Sequence, residues 1–236
     1  MHANQRFTID GIEYDLANMD NLEYVLGKMY DYLNNIGLEK AIKSQKFIRH
    51  LHIFIALTLC KSLDISPEFI HFEVKLRNKV IDVGIIKDGD LKVAISLKSQ
   101  SSSIRKNFTN MVNALQGEVM SLKKYYPSLI VAFVLLLKRK DITEGVDCLN
   151  YYMNNVPKKL LPFISYGTKD RFDSGSIIIW DIEDDIVKLE DNYITQVYDL
   201  DNLINDIKEL YSEELKSQFS LNNLEDRISD FLEPKQ

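Results

Sequence analysis

The sequence predicts a mixed α/β fold, and three observations lead there. Helix-periodic and strand-like segments follow one another in the order α-α-β-β-β-α-β. The three central strand-like runs, Phe69–Leu76, Lys79–Ile86 and Leu91–Lys98, are short and separated by turn residues. The run Leu129–Leu137 is apolar at almost every position, which predicts a strand buried on both faces.

Each element has a local reason. Asp20 followed by Glu23 predicts an N-cap for a helix over Asn21–Asn35, which Gly37 closes. A second helix, Leu38–Leu63, is basic at its start and apolar later, and Ser66-Pro67 ends it. After the three strands, the serine-rich loop Ser99–Ser103 leads into a helix over Ile104–Lys124. Its apolar positions Phe108, Met111, Val112, Leu115, Val119 and Leu122 keep helical spacing, and Pro127 stops it. Beyond the buried strand we expect a helix near Gly145–Met153, a short strand at Ser176–Ile182, and acidic helices over Asp199–Lys216 and Leu221–Leu232. No linker or repeat interrupts the 236 residues, so a single domain is expected, with its core over about 38–137 and a helical C-terminal extension over about 199–236.

Charge is unevenly spread. From Asp173 onward there are 17 acidic and 5 basic residues, whereas Lys40–Lys140 holds 18 basic and 7 acidic. A basic face able to meet a polyanion is one reading; two solvated surfaces of opposite sign is the other. With only Cys60 and Cys148, no disulfide framework or cysteine-rich zinc site is expected. No signal-like start and no membrane-length apolar run occurs, which predicts a soluble cytoplasmic protein without membrane contact. Walker, dinucleotide-glycine, HExxH and CxxC patterns are missing, which argues against NTPases, Rossmann dehydrogenases and zinc enzymes. His50 and His52, two apart on a helix, do not share a face for zinc.

Turn chemistry and apolar pattern together predict strand register. A turn at Arg77-Asn78 pairs Val74 with Ile81, Phe72 with Val83 and Ile70 with Ile85, and sets Glu73 across from Asp82. A three-residue turn, Asp88-Gly89-Asp90, keeps the apolar faces aligned in the next hairpin and pairs Asp82 with Ser96. Glu73, Asp82 and Ser96 then form a row on one face, with Lys98 two residues along. Carboxylates beside a lysine suit metal-assisted hydrolysis of a phosphodiester. An exposed face whose charges merely pair explains the same residues.

Val80-Ile-Asp82-Val-Gly-Ile, followed by Ile95-Ser-Leu-Lys98-Ser-Gln100 and a helix reaching Gly117-Glu118, resembles the PD-(D/E)xK nuclease superfamily, in particular type II restriction endonucleases. The likeness spans about Phe69–Leu137. It implies a restriction-endonuclease-like core, a mixed sheet flanked by helices, with Asp82 as a metal ligand and Lys98 as the catalytic lysine. Ser96 stands where the family usually has an acidic residue. Some members with serine there recruit a glutamate from the following helix, which makes Glu118 the first candidate for catalysis and metal binding. Glu73 is the rival ligand, and a broken catalytic set is the third outcome.

The resemblance further implies Mg2+, double-stranded DNA as substrate, a homodimer, and a cognate DNA methyltransferase as partner. The expected DNA contacts are Ser96, Gln100, Ser102, Ser103, Arg105, Lys106 and Asn107, most of them where a loop enters a helix and backbone amides suit a phosphate. A non-catalytic DNA-binding module and a repair or recombination nuclease are the alternatives.

Overall fold

The computed structural model describes residues 6–211, apart from 20, 38, 39, 41–45 and 78. Asp10-Gly11, both at positive φ, turn a short hairpin of β1 (Arg6–Ile9) and β2 (Ile12–Asp15), which the sequence reading missed although an Asp-Gly pair between apolar runs is a hairpin signal. Helices α1 (Leu22–Ile36) and α2 (Lys46–Leu63) follow. The N-cap of α1 is Asn21, whose side chain accepts from Tyr24 N at 3.1 Å; the expected cap Asp20, like the expected helix start at Leu38, lies outside the described residues.

Six strands make one mixed sheet in chain order: β3 (Ile70–Leu76), β4 (Lys79–Lys87), β5 (Asp90–Gln100), β6 (Ile130–Lys138), β7 (Ser174–Glu183) and β8 (Ile186–Leu189). β5, β6 and β7 are parallel; the pairs at both ends are antiparallel. Such parallel neighbours need crossovers, supplied by α3 (Ile104–Tyr125) and by the segment carrying α4 (Leu149–Lys159). The expected helix near Gly145–Met153 starts later because Lys140 bridges Asp147 and the turn between them folds around Asp141, leaving Cys148 as the N-cap. Near the end of the described chain lie α5 (Tyr193–Val197) and α6 (Leu200–Leu210); the expected helix Leu221–Leu232 lies outside the described residues.

The sheet is covered on both faces, as β6 with no exposed position requires. Alternate residues of β6 divide between two cores: Ala132, Val134 and Leu136 pack with α1, α2 and α6, while Val131, Phe133 and Leu135 pack with α3 and α4. At Gly175 of β7 an added Cβ would sit 2.3 Å from the Phe133 ring, so the residue is held to glycine by the packing.

Within the first core His50 is fully buried, with Nδ1 2.5 Å from the Tyr14 hydroxyl. Burial, aided by the Arg49 cation, pushes the imidazole down to about 3. The unfolded chain therefore binds a proton below the ordinary pKa of about 6.5 that the fold refuses, and stability falls as pH drops through this window. At pH 4.5 His50 is expected to remove about 2 kcal/mol relative to pH 7. Urea titrations of wild type and His50→Gln at both pH values test this: the variant loses less on acidification, and equal losses would show that His50 is not the group responsible.

Candidate active site

The site forms where two strands part. β4 pairs with β5 from Val83↔Ile95 to Lys87↔Asp90, while β5 runs on beside β6 to Gln100. Asp82 is the first residue beyond that fork. The hairpin joining β4 to β5 has a two-residue turn, Asp88-Gly89, and not the expected three-residue turn. A bulge opposite Ile85 and Ile86 absorbs the extra residue, Lys92, and restores the expected alignment of Val83 with Ile95 and Ile85 with Val93.

The register of β3 on β4 is the expected one, Ile70↔Ile85, Phe72↔Val83, Val74↔Ile81 and Leu76↔Lys79. The single expected buried face, however, is not observed. Glu73 has φ of 50°, and around it the hairpin changes sides: Phe72 and Val83 pack in the first core, Val74 and Ile81 in the second. Positive φ at a non-glycine residue costs about 1–3 kcal/mol, so the crossing is held by apolar burial on both sides of it.

At the fork the Asp82 carboxylate takes the place of a strand partner. Its Oδ2 accepts from Leu97 N at 2.7 Å and from Lys98 Nζ at 3.2 Å; neither contact uses Oδ1. The two side chains retain 19% and 32% exposure, enough for a substrate to reach them. They line a cleft of about 410 Å³ together with Glu73, Val80, Arg49 and His52. Arg49 and His52 were not anticipated as site residues; the only sequence signal was polar side chains on a helix otherwise apolar enough to be buried. His52 is pushed down to about 4, chiefly by burial, with the Asp82 and Glu73 carboxylates opposing and Lys98 and Arg49 adding to the shift. It is therefore a neutral imidazole at pH 7.

The expected row of Glu73, Asp82 and Ser96 on one face is divided by this geometry. Ser96 is 1% exposed and faces α3, where its hydroxyl donates to Glu118 Oε1. Glu118 does point at the sheet, as its helical position implied, but it meets Ser96, while Glu73 shares the cleft with Asp82 and Lys98. Among the described residues no three His, Cys, Asp or Glu side chains converge on one metal position. A hard cation such as Mg2+ is held by one or two carboxylates with water and phosphate oxygens completing the shell, and the Asp82–Glu73 pair fits that pattern.

The entry to α3 is differently arranged from expectation. Asp141, from the loop after β6, accepts from Ile104 N at 2.7 Å and also bonds the Ser103 backbone. Its other oxygen accepts from Thr143 N and Glu144 N. A carboxylate of the chain thus already occupies the helix N-terminus where a phosphate was expected. The Asp141-Ile-Thr143 spacing signals only the local side-chain turn with Thr143 and Glu144, not the contact with Ile104. Gln100 is buried and donates to Ile104 O at 3.2 Å, Ser102 and Ser103 are half-buried, and Arg105, Lys106 and Asn107 are exposed. Ser96 and Gln100 therefore stand inside the fold and present no side chain to a partner.

Among the described residues no helix is long and apolar enough to cross a membrane. Comparison with family models, curated proteins and solved structures finds no match to this chain.

Proposed function

We propose that this protein is a Mg2+-dependent endonuclease of double-stranded DNA, working as a type II restriction enzyme of the PD-(D/E)xK kind, as a homodimer opposite a DNA methyltransferase of the same specificity. The observation that carries the reading is the meeting of Asp82 and Lys98 at the strand fork, with a second carboxylate, Glu73, in the same cleft. Asp82, anchored through Oδ2, directs its remaining oxygen toward a cation, and Glu73 is the second ligand. Lys98 steadies negative charge developing on the phosphate and orients the attacking water. Magnesium bound there would polarise the phosphoryl oxygen and acidify a coordinated water. A homodimer reads a palindromic site by two-fold symmetry.

Incubating the purified protein with plasmid DNA and Mg2+, with and without EDTA, tests the reading. Discrete EDTA-sensitive bands are expected. A smear favours a repair or recombination nuclease, and binding without cleavage favours a non-catalytic module, the reading that Ser96 in place of an acidic residue supports.

The second carboxylate has its own test. Glu73→Gln is expected to lower cleavage at least about 100-fold by removing a metal ligand. Glu118→Gln retains the hydrogen-bond geometry with Ser96 and is expected to keep most activity. The reverse pattern assigns the metal-binding role to Glu118, and loss in both means a shared cluster.

A further inference from the structure

The hairpin tip beside the cleft carries three cations and no acid: from Val74 to Ile81 the only charged residues are Lys75, Arg77 and Lys79. Lys75 pairs directly with Val80, which is 49% exposed and lines the cleft with Asp82 and Lys98. Cross-strand neighbours share a face, so Lys75 stands on the cleft rim. Lys79 pairs with Leu76 and alternates with Val80, so it flanks the hairpin tip on the α3 side, beside Arg77. The Arg77 guanidinium lies 3.9 Å from the centroid of the Tyr125 ring, which fixes it at the surface without neutralising it.

Among the described residues none of these three cations has an ion-pair partner, whereas Lys92, Lys98, Lys123 and Lys138 each do. Lysine on an edge strand also discourages sheet-to-sheet pairing, which alone would account for Lys75. It does not account for Arg77 held over an aromatic ring, or for Lys79 on an interior strand. The face change at Glu73 packs Val74, Leu76 and Ile81 onto α3, so the tip is a supported projection.

We infer that the tip of the β3–β4 hairpin grips the phosphate backbone of duplex DNA beside the cleft, through Lys75, Arg77 and Lys79. This rests on the nuclease reading and deepens it, because it adds a wall to the substrate channel that the sequence reading placed at Arg105 and Lys106.

The test is binding of the full-length protein to a fluorescent 30-base-pair duplex, read by anisotropy across 50–200 mM salt, with Ca2+ replacing Mg2+ to suppress cutting. Three lost phosphate contacts reduce the salt slope by about 2.7, so the affinity loss across this range shrinks about 40-fold. The combined variant Lys75→Gln, Arg77→Gln, Lys79→Gln is expected to show that change. The charge-keeping variant Lys75→Arg, Arg77→Lys, Lys79→Arg is expected to keep the wild-type slope, which separates charge from folding. A wild-type protein that binds with a steep slope while the glutamine variant matches it would overturn this inference and leave the nuclease reading intact. The same holds if Arg105→Ala, Lys106→Ala alone carries the slope. A wild type that does not bind duplex DNA at any salt in this range would overturn both, whether or not it binds phosphatidylserine vesicles.

Discussion

Alanine at Asp82 or at Lys98 is expected to reduce DNA cleavage at least about 10³-fold in a protein that stays folded. Asp82→Ala removes the proposed metal ligand, and Lys98→Ala removes the ammonium 3.2 Å from its carboxylate. Both side chains keep some solvent contact, so neither change strands a fully buried charge. Asp82→Ala does free the Leu97 amide, at a cost of about 1–3 kcal/mol. Asp82→Asn keeps an acceptor there, and is expected to be equally inactive with less effect on stability. Cleavage of a plasmid under Mg2+, alongside thermal melts, measures both quantities. Near-normal cutting by any folded variant would remove the proposed site.

The largest stability effect is expected at the other end of the parallel strands. Lys123 of α3 and Asp173, just before β7, form an ion pair at 2.6 Å with side chains 4% and 1% exposed. Asp173 also accepts from Val131 N at 2.8 Å and Gly167 N at 3.2 Å, which ties α3, β6 and the loop before β7 to one carboxylate. Removing one partner of a buried pair leaves the other charge uncompensated, so Lys123→Ala is expected to cost about 3–5 kcal/mol. Asp173→Ala is expected to cost more, because two backbone amides lose their acceptor as well. The double variant Lys123→Met, Asp173→Asn should be more stable than either single change, since no lone charge is left inside. Urea unfolding checks the ordering; single variants within about 1 kcal/mol of wild type would mean that the pair contributes little.

The parts of the fold legible in the sequence are those written by neighbouring residues. Period-two alternation and turn residues predicted β3, β4 and β5 and the register of the first hairpin, including the pairing of Val74 with Ile81. Helical spacing predicted α3, and the unbroken apolar run predicted β6. The proximity of Asp82 and Lys98 followed from aligning the apolar residues of β4 and β5, Val83 with Ile95 and Ile85 with Val93, an alignment the second hairpin keeps. Tertiary structure decided the rest. The bulge at Lys92 replaced the longer turn while leaving the apolar alignment unchanged, because burial constrains the register and not the route to it. The face change at Glu73 and Asp82 arises from two cores competing for one hairpin, which no local pattern records. Asp141 reaches the start of α3 from 37 residues away, too far for local turn chemistry to predict. Likewise, Glu73 rather than Glu118 shares the Asp82 cleft because α2 closes that side of the sheet, whereas Ser96 turns Glu118 to the other. Sequence spacing determined which strands carry the charged groups; packing of distant helices on the two faces determined which of those groups meet.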